Sequence, residues 1–362
     1  MRKLKVVHII DDLGRGGAET LLVDILPDLN HRYDLTLVTL NDRNDFPEEV
    51  FRQIKKIDLQ YKGYADLFAV TRRLKKIIKA ERPDLVRSQL FWSTIIARLA
   101  CGKRNPLVFS VHEIMNRDPI GRHKQLIQDL IERATYRKTQ NMIGVTNAVI
   151  QNFKSIHPHT GKCFLLSNFV RNEFFKTKYE FSFQANRPLK IVCVGNLRLI
   201  KNIPFLIETI KLLPRNLISL DIYGEGPLRP TLEKEIEGAD LFNVRLMGRK
   251  ADIYRVLPDY DLYVSPSNAE GFGIAVAEAL SVGLPVIISD IPGHKEIGDK
   301  YANYFDLNNT ASLIRFIEYF IANPEKFKMQ SEQNKVYALK AFRRDNYLNK
   351  LDSIYQETAG RI

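Results

Sequence analysis

Residues 265–285 read SPSNAEGFGIAVAEALSVGLP. They place a strand end, a glycine-bearing turn and a helix N-terminus in succession. Gly271 and Gly273 let the backbone approach a ligand closely. The amides around Phe272, Gly273, Ile274 and Ala275 lie at the positive end of the helix and favour a phosphate group. Glu278 falls about one helical turn further on, where a carboxylate accepts hydrogen bonds from ribose hydroxyls, and Glu270, ahead of the turn, is placed to accept from sugar hydroxyls. The small neighbours Ala275, Ala277 and Ala279 indicate close packing of this helix rather than a solvated face.

Outward from this stretch the chain keeps one rhythm. Apolar runs at residues 6–10, 35–40, 85–88, 107–111 and 142–145 have the continuous hydrophobicity of strands buried on both faces. Segments of helical period lie between them. Residues 66–81 put Leu67, Val70, Leu74, Ile77 and Ile78 on one face, and Pro83 ends the helix before the next strand. Strand, helix, strand in repetition implies a parallel sheet. The alternation pauses at residues 169–188, which mix aromatics and charges without a clear period, and restarts with runs at 189–194, 218–223, 244–247, 262–264 and 285–289. A chain of 362 residues also exceeds what one hydrophobic core sustains. The reading is α/β with two doubly wound, Rossmann-like halves: an N-terminal domain over residues 1–170, a C-terminal domain over 187–340, and a closing helix over 341–362 that packs back towards the N-terminal domain.

Composition narrows the class. With 45% hydrophobic and 27% charged residues the chain is that of a folded protein. Its three cysteines, Cys101, Cys163 and Cys193, show no CxxC spacing, which argues against a disulfide framework or a zinc site and suits a reducing cytoplasm. Asp11 and Asp12 interrupt the first apolar run too early for a signal sequence, and no stretch approaches the roughly 18 apolar residues of a membrane span. Charge is unevenly spread. Residues 1–180 carry 31 Lys and Arg against 20 Asp and Glu, and residues 181–362 carry 23 against 22. Such a field attracts nucleic acid, an anionic membrane or a phosphorylated acceptor alike. The segment 72–79, RRLKKIIK, sets apolar residues at core spacing opposite cations. It reads either as an ordinary solvated helix or as a peripheral membrane contact.

Two glutamates bracketing Gly271-Phe272-Gly273 at a separation of seven residues, followed by Ala-Leu-x-x-Gly-x-Pro, resemble the donor-site signature of retaining GT-B glycosyltransferases of family 4. The likeness extends over nearly the whole chain. Residues 14–19, GRGGAE, look like the family's N-terminal glycine loop, which implies that Gly16 and Gly17 face the donor phosphates. As a dinucleotide fingerprint the same loop lacks a third glycine. Ser110-Val111-His112-Glu113 is similar to the motif whose histidine lies beside the transferred sugar, so His112 is the implied active-site histidine; the family more commonly has aspartate at the position of Glu113. Residues 194–202, VGNLRLIKN, resemble the segment in which an arginine and a lysine neutralise the leaving diphosphate. Lys201 matches the lysine, Asn196 stands at the arginine position, and Arg198 offers a charge nearby. Gly224, in residues 223–227, and Arg249, after Met247-Gly248, sit at strand ends that line the nucleotide pocket in family members, and Ser167-Asn168-Phe169 resembles the segment leading to the hinge.

The resemblance implies a GT-B enzyme, two Rossmann-like domains facing across a cleft, with His112, Glu270 and Lys201 as catalytic residues. It implies transfer with retention from a nucleoside diphosphate sugar, UDP being the default, to a glycan or lipid-linked saccharide acceptor, in bacterial surface polysaccharide synthesis. The nucleotide sugar is a co-substrate, and no cofactor or metal is expected. Asp259 and Asp261 have the spacing that binds a divalent cation in a different glycosyltransferase fold, but they precede a strand and lie away from the phosphate loop. The rival readings are a nucleotide-sugar epimerase of the same fold and a polyanion-binding protein. Nucleic acid is not expected as a partner, because it leaves Glu270 and Glu278 without a role. The expected location is cytoplasmic, with possible peripheral contact to the membrane.

Overall fold

The computed structural model describes residues 2–102, 106–114 and 122–360, and the side chains of all of these except 122–125. Residues 361 and 362, the end of the helix expected over 341–362, lie outside the described residues. The chain forms two compact units, Met1–Ser167 with Tyr347–Ile362, and Asn168–Asn346.

The first unit is built on seven parallel strands: β1 (Lys5–Ile10), β2 (Asp34–Thr39), β3 (Lys55–Asp58), β4 (Leu85–Gln89), β5 (Leu107–Val111), β6 (Asn141–Gly144) and β7 (Cys163–Leu165). Their order in the sheet is β3-β2-β1-β4-β5-β6-β7. The second unit holds β8 (Leu189–Val194), β9 (Ile218–Tyr223), β10 (Val244–Gly248), β11 (Leu262–Ser265), β12 (Val286–Ser289) and β13 (Asn303–Phe305), ordered β10-β9-β8-β11-β12-β13. In each sheet the order reverses after the first strand of the unit, between β1 and β4 and between β8 and β11. Loops leaving the carboxyl ends of such neighbours diverge to opposite faces and open a crevice, the usual place for a ligand in this topology.

Local chemistry explains the elements that frame these crevices. Helix Leu67–Glu81 buries Val70, Leu74 and Ile78 and ends at Arg82, whose left-handed backbone stops the helix just before Pro83. Helix Ile274–Val282 starts at Gly273 (φ 72°) and stops at Gly283 (φ 105°). The Gly283 amide donates to the carbonyls of Ala279 and Leu280 and the Leu284 amide to Ala279, so the last turn is closed by its own chain. Cores form where both strand faces are apolar: Ile191, Ile222, Val264 and Ile287 against Leu206 and Ile317 in the second unit, Val7, Ile9, Val38 and Val86 against Leu74 and Ile96 in the first.

The strand read at residues 107–111 matches β5 and those at 189–194 and 218–223 match β8 and β9. Three strands escaped the apolar-run criterion. β3, β7 and β13 are four, three and three residues long and each lies at a sheet edge. Edge strands bury less of their surface, so they need no continuous hydrophobic run.

The carboxyl ends of β8 and β9 meet backbone to backbone. Gly195 donates its amide to the Tyr223 carbonyl, and Gly224 donates to that of Gly248. A Cβ on Gly224 would lie 1.9 Å from the Gly195 carbonyl oxygen, and φ there is +148°. Gly224→Ala should therefore lower stability by about 3 kcal/mol or more, combining an unfavourable φ with a backbone clash. Urea unfolding measures this directly, and a loss below about 1 kcal/mol contradicts the packing described.

Candidate functional site

In the second unit the loop after β11, residues 266–273, carries Glu270. Its Oε1 accepts from Lys201 Nζ at 2.5 Å and from Ser267 Oγ at 2.7 Å. The Glu270 side chain is only 11% exposed and that of Lys201 26%. Burial alone would push the carboxyl upward. The charge of Lys201, with the hydrogen bonds from Lys201 and Ser267, outweighs burial and holds it below the usual glutamate range. Two loops bring the lysine there: the Asn268 amide donates to the Ile200 carbonyl at 2.8 Å, Asn268 Nδ2 reaches Leu199 O, and the lysine stem runs past Gly195, where a Cβ would lie 3.5 Å from it.

Behind Glu270 sits His294, wholly buried. Its Nδ1 is 3.1 Å from the Ser289 carbonyl, to which it donates, leaving Nε2 as an acceptor 3.4 Å from Ser265 Oγ. Burial pulls its pKa down to about 4, so the ring is neutral at pH 7. Glu270 and Glu278 also both act on the buried hydroxyl of Tyr263, whose ionisation burial and the two carboxylates suppress. Glu278 is half-buried four residues into helix Ile274–Val282, and the Ile274 and Ala275 amides ahead of it have no intrahelical carbonyl to meet.

The first unit brings together a different set. At the carboxyl end of β4, Gln89 bridges two histidines: His8 Nε2 donates to Gln89 Oε1 at 2.5 Å, and Gln89 Nε2 donates to His112 Nε2 at 3.0 Å. His112 is thereby the neutral tautomer with its proton on Nδ1. Burial and the adjacent charge of Arg87 hold its pKa down to about 3, and the same two causes depress His8. Arg87 is itself buried, with Tyr355 Oη at 3.1 Å and Tyr347 Oη at 3.4 Å. Gln89 precedes Leu90, whose backbone (φ 72°, ψ 173°) is one that side chains rarely adopt. Asp11 fixes that turn by accepting from the amides of Ser93, at 2.7 Å, and Trp92, at 3.4 Å, and thus caps helix Phe91–Ala100.

Of the residues singled out in the sequence, Lys201, Glu270, Gly271, Phe272, Gly273 and Ile274 come together on the loops after β8 and β11, with Gly224 packed beneath Gly195. Asn196 and Arg198 are exposed on the first of these loops, and Arg249 is exposed just beyond β10. Gly16 and Gly17 open helix Gly17–Arg32 in the first unit, where the Glu19 carboxylate folds back over Gly16. Asp261 lies at the amino end of β11, gripped by Arg187 through two 2.7 Å bonds and by the Lys190 amide. Its role there is structural. Gln89, His8, Ser267 and His294 escaped sequence reading. One signal was present: Arg87-Ser88-Gln89 puts three polar residues at the end of a strand that is buried throughout.

Two parallel doubly wound sheets, each with polar groups gathered at the carboxyl ends of the strands flanking its switch point, define the GT-B class of α/β proteins. Residues 15–174 match Glycosyltransferase Family 4 and residues 175–337 match Glycosyl transferases group 1, and the chain belongs to this glycosyltransferase family. The O-antigen biosynthesis glycosyltransferase WclY of Escherichia coli is 23% identical over 326 residues, 87% of this chain and 88% of that one. A GtfA subunit of Streptococcus agalactiae, named UDP-N-acetylglucosamine–peptide N-acetylglucosaminyltransferase, is 41% identical over 87 residues, 24% of this chain and 17% of that one. Anabaena Alr3699/HepE, solved in complex with UDP, superposes with a TM-score of 0.80 at 16% identity, covering 98% of this chain and 100% of its own.

The neutral His294 ties the second unit's stability to pH. Between about 6.5 and 4 the unfolded chain takes up a proton that the folded unit refuses, so stability present at neutral pH is lost as pH falls through this window, at about 1.4 kcal/mol per pH unit. Comparing urea midpoints at pH 7 and pH 5, His294→Gln should lose less on acidification than the wild type. Equal losses would contradict a buried neutral ring.

Proposed function

We propose that the protein is a retaining glycosyltransferase that moves a sugar from a UDP-sugar to a glycan or lipid-linked saccharide acceptor in the building of a bacterial surface polysaccharide. The observation that carries this reading is the Lys201–Glu270 pair beside the amino end of helix Ile274–Val282, a cation and free helical amides facing the same loop. UDP as the nucleotide draws support from the UDP bound to Alr3699/HepE, and polysaccharide synthesis from the activity named for WclY.

The chemistry follows from the charges. The donor's bond between C1 and the β-phosphate oxygen breaks, and negative charge grows on the departing diphosphate. Lys201 and the helix amides stabilise that charge, so no metal is given a part in the step. Glu270, held ionised, accepts from hydroxyls of the transferred sugar, and Glu278 from the ribose. The acceptor hydroxyl bonds to C1 on the face the phosphate leaves, and its proton passes to the departing phosphate oxygen. In the first unit His112 offers a neutral N–H donor, which suits hydrogen bonding to a sugar better than proton transfer near pH 7.

Among the described residues no helix is long and apolar enough to cross a membrane. Peripheral attachment to the cytoplasmic face of the membrane is the reading we favour. Phe68 is 86% exposed beside the cations Arg72, Lys75, Lys76 and Lys79, and Leu126 and Leu130 are exposed on the amphipathic helix Arg122–Thr135.

In thermal unfolding with EDTA present, UDP should raise the melting temperature more than GDP or ADP does. Saturating ligand at about a hundred times Kd adds roughly 2.7 kcal/mol. Glu278→Ala should abolish the shift, and the absence of any nucleotide effect on folded wild type would sink the donor assignment. Proton NMR of the product formed from a UDP-α-sugar should show the α-anomer. A β-product would replace retention with inversion.

A further inference from the structure

The first unit contains a pocket of about 320 Å³ beside His112, within the roughly 300–1,000 Å³ typical of small-molecule sites. Phe91, Thr94 and Arg98 line it from one face of helix Phe91–Ala100, so it follows that helix for about 10 Å. One end lies at the exposed Glu113 beyond β5. The other is deep, at Arg98, which is 1% exposed.

The lining carries polar groups without a partner among the described residues. Arg98 Nη1 donates to Glu132 Oε1 at 3.3 Å, but among the described residues the buried Arg98 Nε and Nη2, His112 Nδ1 and Ser110 Oγ meet no hydrogen-bond partner. A buried polar group without a partner is costly, so a ligand that supplies one gains from it. The guanidinium also lies 4.7 Å from the centre of the Phe109 ring, and Phe109, Phe91 and Phe153 give the pocket apolar walls. Polar edges on a flat apolar wall suit a pyranose ring, whose hydroxyls point outward and whose C–H faces pack on aromatics.

Charge decides which pyranose. Three carboxylates, Asp11, Glu113 and Glu132, line the pocket against one guanidinium, and His112 adds no charge. An anionic group would meet repulsion from Asp11 and Glu113 in the lining, and the charge of Arg98 is already answered by Glu132. We propose that this pocket receives the terminal sugar of the acceptor and selects a neutral or amino sugar over a uronic acid. The assignment rests on the glycosyltransferase reading above and adds to it the acceptor's seat and charge class.

The test is ligand-observed saturation-transfer NMR on the full chain with methyl glycosides of glucose, galactose, mannose, N-acetylglucosamine, glucosamine and glucuronic acid, alongside UDP-induced melting shifts as the check of the donor site. At least one neutral or amino glycoside should receive saturation and the glucuronide should not. Ser110→Leu fills the pocket without breaking a protein hydrogen bond and should remove the signal while the UDP shift persists. Glu113→Lys, an exchange at an exposed position, should admit the glucuronide, and it decides the matter should Ser110→Leu fail to fold. The proposal is overturned if no glycoside binds wild type, if binding survives Ser110→Leu in protein that UDP still stabilises, or if the glucuronide binds as well as the neutral sugars. Glycoside binding with no UDP shift would remove the donor reading and leave the pocket standing.

Discussion

A carboxylate kept ionised almost out of water is the constraint around which the second unit is organised. Glu270 keeps its charge only because an ammonium sits 2.5 Å away and a serine hydroxyl supplements it. Bringing Lys201 to that place requires the loop after β8 to be pinned to the loop after β11 by Asn268. It also requires the ends of β8 and β9 to approach so closely that Gly224 has no room for a side chain. Gly293 shows the same crowding from another direction, since a Cβ there would lie 2.2 Å from the Glu270 carbonyl oxygen. The glycines at these strand ends serve the ion pair as much as any ligand.

The first unit solves the reverse problem. Its two histidines stay neutral, because Arg87 beside them is a buried cation with tyrosine hydroxyls for partners. That uncompensated charge, with burial, keeps His8 and His112 unprotonated. Gln89 then fixes which nitrogen of each ring donates, and the strained Leu90 holds Gln89 at the turn. The second unit therefore holds a fixed ion pair at its switch point, and the first holds two neutral histidines at its own.

Much of this was legible in the chain. Continuous apolar runs disclosed the inner strands, since a strand buried on both faces must be hydrophobic throughout, and the glycine-rich turn at 271–273 with its flanking glutamates disclosed the loop that binds Lys201. These features are local, so spacing along the sequence expresses them. The short edge strands β3, β7 and β13 were not legible, because half-exposed residues leave no pattern.

What only the tertiary structure decided are the partnerships. Gln89 meets His8 across 81 positions and His112 across 23, and Lys201 meets Glu270 across 69. His112, Lys201 and Glu270 stand out in the sequence through their motifs, but spacing along the chain does not say which groups they meet, and Gln89 and His8 carry no motif at all. In the first unit the sheet order puts β1, β4 and β5 side by side, and burial with the charge of Arg87 keeps the histidines there neutral; in the second, Lys201 overcomes burial and keeps Glu270 ionised. Residue type and spacing determined which groups were available and which fold would carry them; burial and register determined their protonation, because both depend on neighbours that the chain supplies from far away.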